Sequence, residues 1–66
     1  MKHYDKIMEF LDKDKFRSTT QVMLYLRKKT KKEINWKTVN NTLKVLEKLD
    51  KVESQVIGKS RGWRKK

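Results

Sequence analysis

Cysteine and proline are absent from this 66-residue chain, and glycine occurs only twice. Without cysteine no disulfide and no thiolate metal site can form, so packing alone must stabilise the fold. The scarcity of glycine and proline leaves no flexible linker and no low-complexity segment apart from a lysine bias. Long apolar runs are missing too. The longest, Val22-Met23-Leu24-Tyr25-Leu26, is far short of a membrane span. The opening Met1-Lys2-His3-Tyr4-Asp5 lacks the apolar core of a signal peptide, so a cytoplasmic location is expected. Hydrophobic residues make up 35% of the chain, enough for one small core but not for a buried enzyme cleft beside it. The chain is therefore read as one domain over residues 1–66.

Acidic residues are also few, 8 against 19 Lys and Arg, and the net charge is +11. That charge is unevenly placed. Residues 1–15 balance Lys2, Lys6, Lys13 and Lys15 against Asp5, Glu9, Asp12 and Asp14. Residues 16–53 carry ten bases against Glu33, Glu47, Asp50 and Glu53, a net of +6. Residues 54–66 add Lys59, Arg61, Arg64, Lys65 and Lys66 with no acid. Lysines placed only for solubility would not leave the first segment neutral. A polyanion-binding surface on part of the molecule is expected.

Periodicity predicts three helices and a hairpin. The first helix, about 2–13, has Tyr4, Ile7, Met8 and Leu11 on one stripe, with Phe10 widening it. The second, about 18–29, opens with the capping box Ser18-Thr19-Thr20-Gln21 and turns Thr19, Val22, Met23 and Leu26 inward. The third, about 36–50, starts after the N-cap candidate Asn35, with Ile34 placed to staple onto Val39. Its two faces separate cleanly. Val39, Thr42, Leu43, Val45, Leu46 and Leu49 lie on one side, and Lys37, Asn40, Asn41, Lys44, Glu47, Lys48 and Lys51 on the other. Trp36 borders the apolar face, where partial burial is expected. A two-residue period then runs through 52–57, Gly58-Lys59-Ser60-Arg61-Gly62 reads as a hairpin tip, and the hairpin as a whole covers about 52–65. Trp63 is expected to close the second strand onto the core. The fold class is mainly α with a small β-hairpin, an α+β domain.

Helix, helix, amphipathic basic helix and basic hairpin follow one another in the order of a winged helix-turn-helix. Thr38-Val39, Leu43, Leu46-Glu47-Lys48 and Val52 resemble the recognition helix and strand entry of winged-helix transcription factors. The closest likeness is to penicillinase-repressor-like and ferric-uptake-regulator-like domains, which carry an aromatic where Trp36 stands. The likeness extends from Tyr4 to Trp63. Asp50 departs from it by standing where those families usually have glycine. The sensor and dimer functions of those families do not carry over.

The resemblance implies a sequence-specific regulator that binds double-stranded DNA, with the third helix in the major groove and the wing on the backbone or minor groove. Asn40 and Asn41 have amides that suit adenine, while Lys37 and Lys44 can reach guanine or phosphate, and Lys48 completes that face. Thr38 matches a family position near the helix N-terminus, although a capping role beside Asn35 competes with it. Lys59, Ser60, Arg61 and Arg64 form the basic wing. Lys28 at the end of the second helix and Lys31 in the turn after it can approach flanking phosphates, as Ser18 and Thr19 can at that helix's start, where capping competes with contact. No catalytic constellation, metal site or cofactor is expected, His3 standing alone, and no small-molecule effector is evident. A homodimer through the first helix beside Phe10 is a further expectation. The alternatives are a nonspecific or architectural DNA-binding protein, suggested by the excess of lysine over arginine, and a winged helix serving as an RNA- or protein-interaction module.

Overall fold

The computed structural model describes residues 3–66, with three helices and one three-stranded antiparallel sheet. Helix α1 covers Tyr4–Phe10. It is shorter than the predicted 2–13, and the predicted start at Lys2 lies outside the described residues. At the other end Leu11 turns into extended backbone at φ −72°, ψ 144°. Two bonds from the next residue tie the chain to the sheet and end the helical pattern. The Asp12 carbonyl accepts the Lys65 N–H at 2.8 Å, and its carboxylate accepts Arg17 Nη2, also at 2.8 Å. Within α1, Ile7 is fully buried, and Leu11 just past its end is nearly so.

Helix α2 covers Thr19–Thr30 with Ser18 as its N-cap. Both halves of the capping box form: Ser18 Oγ accepts the Gln21 N–H at 3.1 Å, and Gln21 Oε1 accepts the Ser18 N–H at 2.9 Å. Thr19, Val22 and Leu26 are buried and Met23 is half-buried. The turn to α3 has no glycine, and Lys31 takes the left-handed position (φ 57°), its N–H donating to the Arg27 carbonyl at 2.9 Å. Arg27 Nε donates to the Ile34 carbonyl at 2.8 Å, which holds this turn to the helix before it.

Helix α3 covers Trp36–Lys48. Asn35 caps it, Oδ1 accepting the Thr38 N–H at 2.8 Å, and Ile34 and Val39 are both buried beside the cap. Val39, Thr42, Leu43 and Leu46 form its inward face, with Val45 half-buried. Leu49, predicted on that face, is 56% exposed because the helix ends one residue earlier. The end is a Schellman motif: Asp50 N–H donates to the Glu47 carbonyl and Lys51 N–H to the Leu46 carbonyl, both at 3.0 Å. Asp50 sits at φ 63°, in the left-handed conformation where glycine is the usual residue.

The predicted two-stranded hairpin is a three-stranded sheet. Strands β2 (Val52–Ile57) and β3 (Ser60–Lys65) form the hairpin, and β1 (Arg17–Ser18) adds to the far edge of β3, giving the order β1-β3-β2. Arg17 pairs with Trp63 and Ser18 with Gly62; Ser54 also pairs with Trp63, and Ile57 with Ser60. The tip is only Gly58-Lys59, with Gly58 at φ 62°, the glycine-first pattern of a two-residue hairpin turn. Gly62 is thus a central strand residue. A Cβ there would stand 2.7 Å from Phe16 Cβ, so glycine lets Phe16 pack on the sheet.

Helix α2 packs against α1 and α3, while β3 lies on α2 and β2 on α3. Trp63 is fully buried where these layers meet. Its Nε1–H donates to Thr19 Oγ1 at 2.9 Å, so the one polar atom of the indole is satisfied inside the core. Among the described residues no helix is long and apolar enough to cross a membrane.

Candidate functional site

The start of α2, the outward side of α3 and the tip of the β2–β3 hairpin converge on one cleft of about 280 Å³. The segment opening α2 contributes Ser18, Thr19 and Thr20; α3 contributes Trp36, Asn40 and Lys44; the hairpin contributes Lys59, Ser60 and Arg61. Among the described residues three cations line it and no carboxylate does. One wall is a helix N-terminus, where the peptide dipoles leave partial positive charge. Ser18 Oγ accepts the Gln21 N–H, and its hydroxyl proton adds a donor to this wall.

Local structure explains the convergence. The pairing of β1 with β3 sets Ser18 opposite Gly62, so the capping turn of α2 starts beside the hairpin. The tight Gly58-Lys59 turn then brings Lys59, Ser60 and Arg61 to the end of the sheet. Asn40 and Lys44 lie one helical turn apart on α3, which stacks the amide and the ammonium on one stripe. The cleft thus offers an amide, hydroxyls, cations and an aromatic face to a ligand with negative charge and flat surface.

Six of the residues singled out from the sequence meet in this cleft: Ser18, Asn40, Lys44, Lys59, Ser60 and Arg61. Lys37, Asn41 and Lys48 lie exposed on α3, outside the cleft's lining. Thr38 is exposed on a separate recess with His3, Lys32 and Asn35, and its N–H and carbonyl serve the helix, bonded to Asn35 Oδ1 and Thr42 Oγ1. Lys28 lines another recess with Tyr25 and Lys29, and Lys31 ends α2; neither reaches the cleft. Arg64 also lies apart. Its guanidinium bonds the Glu53 carboxylate at 2.6 Å through Nε and stands over the Phe16 ring at 4.7 Å.

Thr20 and Trp36 line the cleft without having been candidates, and Thr19, read with Ser18 as able to donate to phosphate, lines it too. Trp36 is 48% exposed, where partial burial was expected. As the first residue of α3 it has no preceding turn to cover its ring, a signal available from the Asn35 cap alone. Phe10, the expected dimer residue, is half-buried and stacked on Tyr25 (centroids 4.5 Å, planes 21°), with the Arg17 guanidinium over its ring at 5.3 Å. It is engaged within its own chain. Among the described residues no group of His, Cys, Asp and Glu could hold a metal ion.

No family model, curated protein or solved structure matches the chain.

Proposed function

We propose that the chain is a winged helix-turn-helix protein that binds double-stranded DNA and regulates transcription. In this reading α2, the turn and α3 are the helix-turn-helix, α3 enters the major groove, and β2–β3 is the wing. One observation carries it: residues distant in sequence build an acid-free cleft between the helix pair and the hairpin, lined by Lys44, Lys59, Arg61 and the start of α2. Such a cleft suits a backbone phosphate. Beside it, Lys37, Asn41 and Lys48 stay exposed on α3 and remain available to base edges.

The division of labour follows from position around the helix, since Asn40 and Lys44 face the cleft while Lys37, Asn41 and Lys48 lie on the neighbouring stripe. Cleft residues fix position through phosphate and carry no sequence information; the exposed amide and ammonium groups of α3 carry specificity. The test is selection from random duplex DNA, followed by Asn41→Ala. The proposal expects an enriched motif, a loss of about 1–3 kcal/mol on the selected site and little change on random duplex. Equal losses on both would assign α3 a phosphate role only. Enrichment of no motif would make the protein an architectural DNA binder, and preference for structured RNA would transfer the same surface to RNA.

A further inference from the structure

We infer that Glu47 and Ser54 are positioning residues that hold Arg61 at the cleft. This rests on the DNA-binding reading above and deepens it by assigning what sets the wing's arginine. Glu47 is the only acid in α3 and does not line the cleft. Its Oε2 accepts the Ser54 hydroxyl at 2.5 Å, a short charge-assisted bond between α3 and β2. Ser54 has one hydroxyl proton, and it is donated in the hydrogen bond to Glu47. The remaining lone pairs of Ser54 Oγ then turn toward β3, where Arg61 Nη1 donates to them at 3.3 Å.

Sheet register makes the chain possible. Ser54 stands opposite Trp63, and Arg61 opposite Val56, so Arg61 is the diagonal neighbour of Ser54 on the same face. That separation is within reach of a long side chain. The guanidinium is supported from a second side by the Trp63 ring, 5.8 Å from its centroid. A side chain on an exposed strand would otherwise sample many rotamers, and ordering it in advance lowers the entropy cost of binding. The carboxylate therefore acts through the hydroxyl, and the rigid helix α3 sets where the hairpin's cation points.

Charge counting and positioning make opposite predictions for one substitution. Glu47→Gln raises the net positive charge by one, and long-range electrostatics alone would tighten DNA binding. If Glu47 positions Arg61, Glu47→Gln weakens it. Ser54→Ala changes no charge and is expected to lose about 3- to 10-fold in affinity, to make the salt slope shallower by about one, and to add nothing in the Arg61→Ala background. Ser54→Thr keeps the hydroxyl on a residue suited to a strand and is expected to restore binding. Side-chain ¹⁵N relaxation of Arg61 in the free protein reads the same relay without DNA: ordered in the wild type and Ser54→Thr, mobile in Ser54→Ala. Arg61 equally mobile in all three, or Glu47→Gln binding more tightly with Ser54→Ala unchanged, overturns the relay. An ordered Arg61 in a protein that binds no duplex overturns the DNA reading instead, and with it the relay's role in binding.

Discussion

At the scale of single residues, the chain spends polar groups where an apolar one would leave a buried partner unpaired. Thr19 is 4% exposed and its hydroxyl accepts the indole N–H of a fully buried Trp63. Thr19→Val keeps the volume and removes the acceptor. It is expected to destabilise the protein by about 1–3 kcal/mol in urea denaturation, the usual cost of a stranded buried donor. Asp50 shows the reverse case. At φ 63° it bears left-handed strain that glycine would relieve, against loss of an exposed ion pair with Lys66. The strain is worth about 1 kcal/mol and the exposed ion pair is screened by solvent, so Asp50→Gly is expected to raise the unfolding midpoint. Lys66 has its ammonium pKa raised above 10.5, mainly by the hydrogen bond to Asp50. Whatever that pair contributes is present below pH 10.5 and is lost as pH rises further. The glycine-to-aspartate departure was visible in the sequence. The Thr19–Trp63 bond was not, since no local pattern links residues so far apart in the chain.

At the scale of elements, legibility followed period and capping chemistry. Helix α3 was readable at both levels, because its polar and apolar residues separate on opposite sides and Asn35 supplies the cap observed at 2.8 Å. Asn35→Ala is expected to cost about 1 kcal/mol in thermal unfolding and to loosen the first turn of α3, including Trp36. The Ser18 capping box was equally explicit. Strand β1 was not legible: two residues cannot display an alternation, and only pairing with β3 makes Arg17–Ser18 a strand. The same pairing explains why Gly62, read as part of the tip, is central to the sheet. Helix α1 came out short because Asp12 found partners in Lys65 and Arg17, contacts made only after the chain has folded.

At the scale of the whole molecule, the sequence showed that the charge was uneven but not where it would gather. One third of the cleft's lining comes from α3, whose outward Asn40 and Lys44 periodicity identified. The rest depends on β1 setting the start of α2 beside the hairpin, which periodicity could not reveal. Arg64 makes the point sharply. It is close to Arg61 in sequence, yet it faces Glu53 and Phe16 while Arg61 lines the cleft. Alternation along a strand sends close neighbours to opposite faces, so basic residues in one run need not act together.

The most direct measurement of the central claim is the salt dependence of duplex DNA affinity for the wild type, Lys44→Ala and Arg61→Ala. If the cleft seats one backbone phosphate among about four to six phosphate contacts in all, log K should fall with log[salt] at a slope of roughly −4 to −5 for the wild type. Each variant should bind more weakly and with a slope shallower by about one. A flat salt dependence, or variants that match the wild type in affinity and slope, would contradict the account.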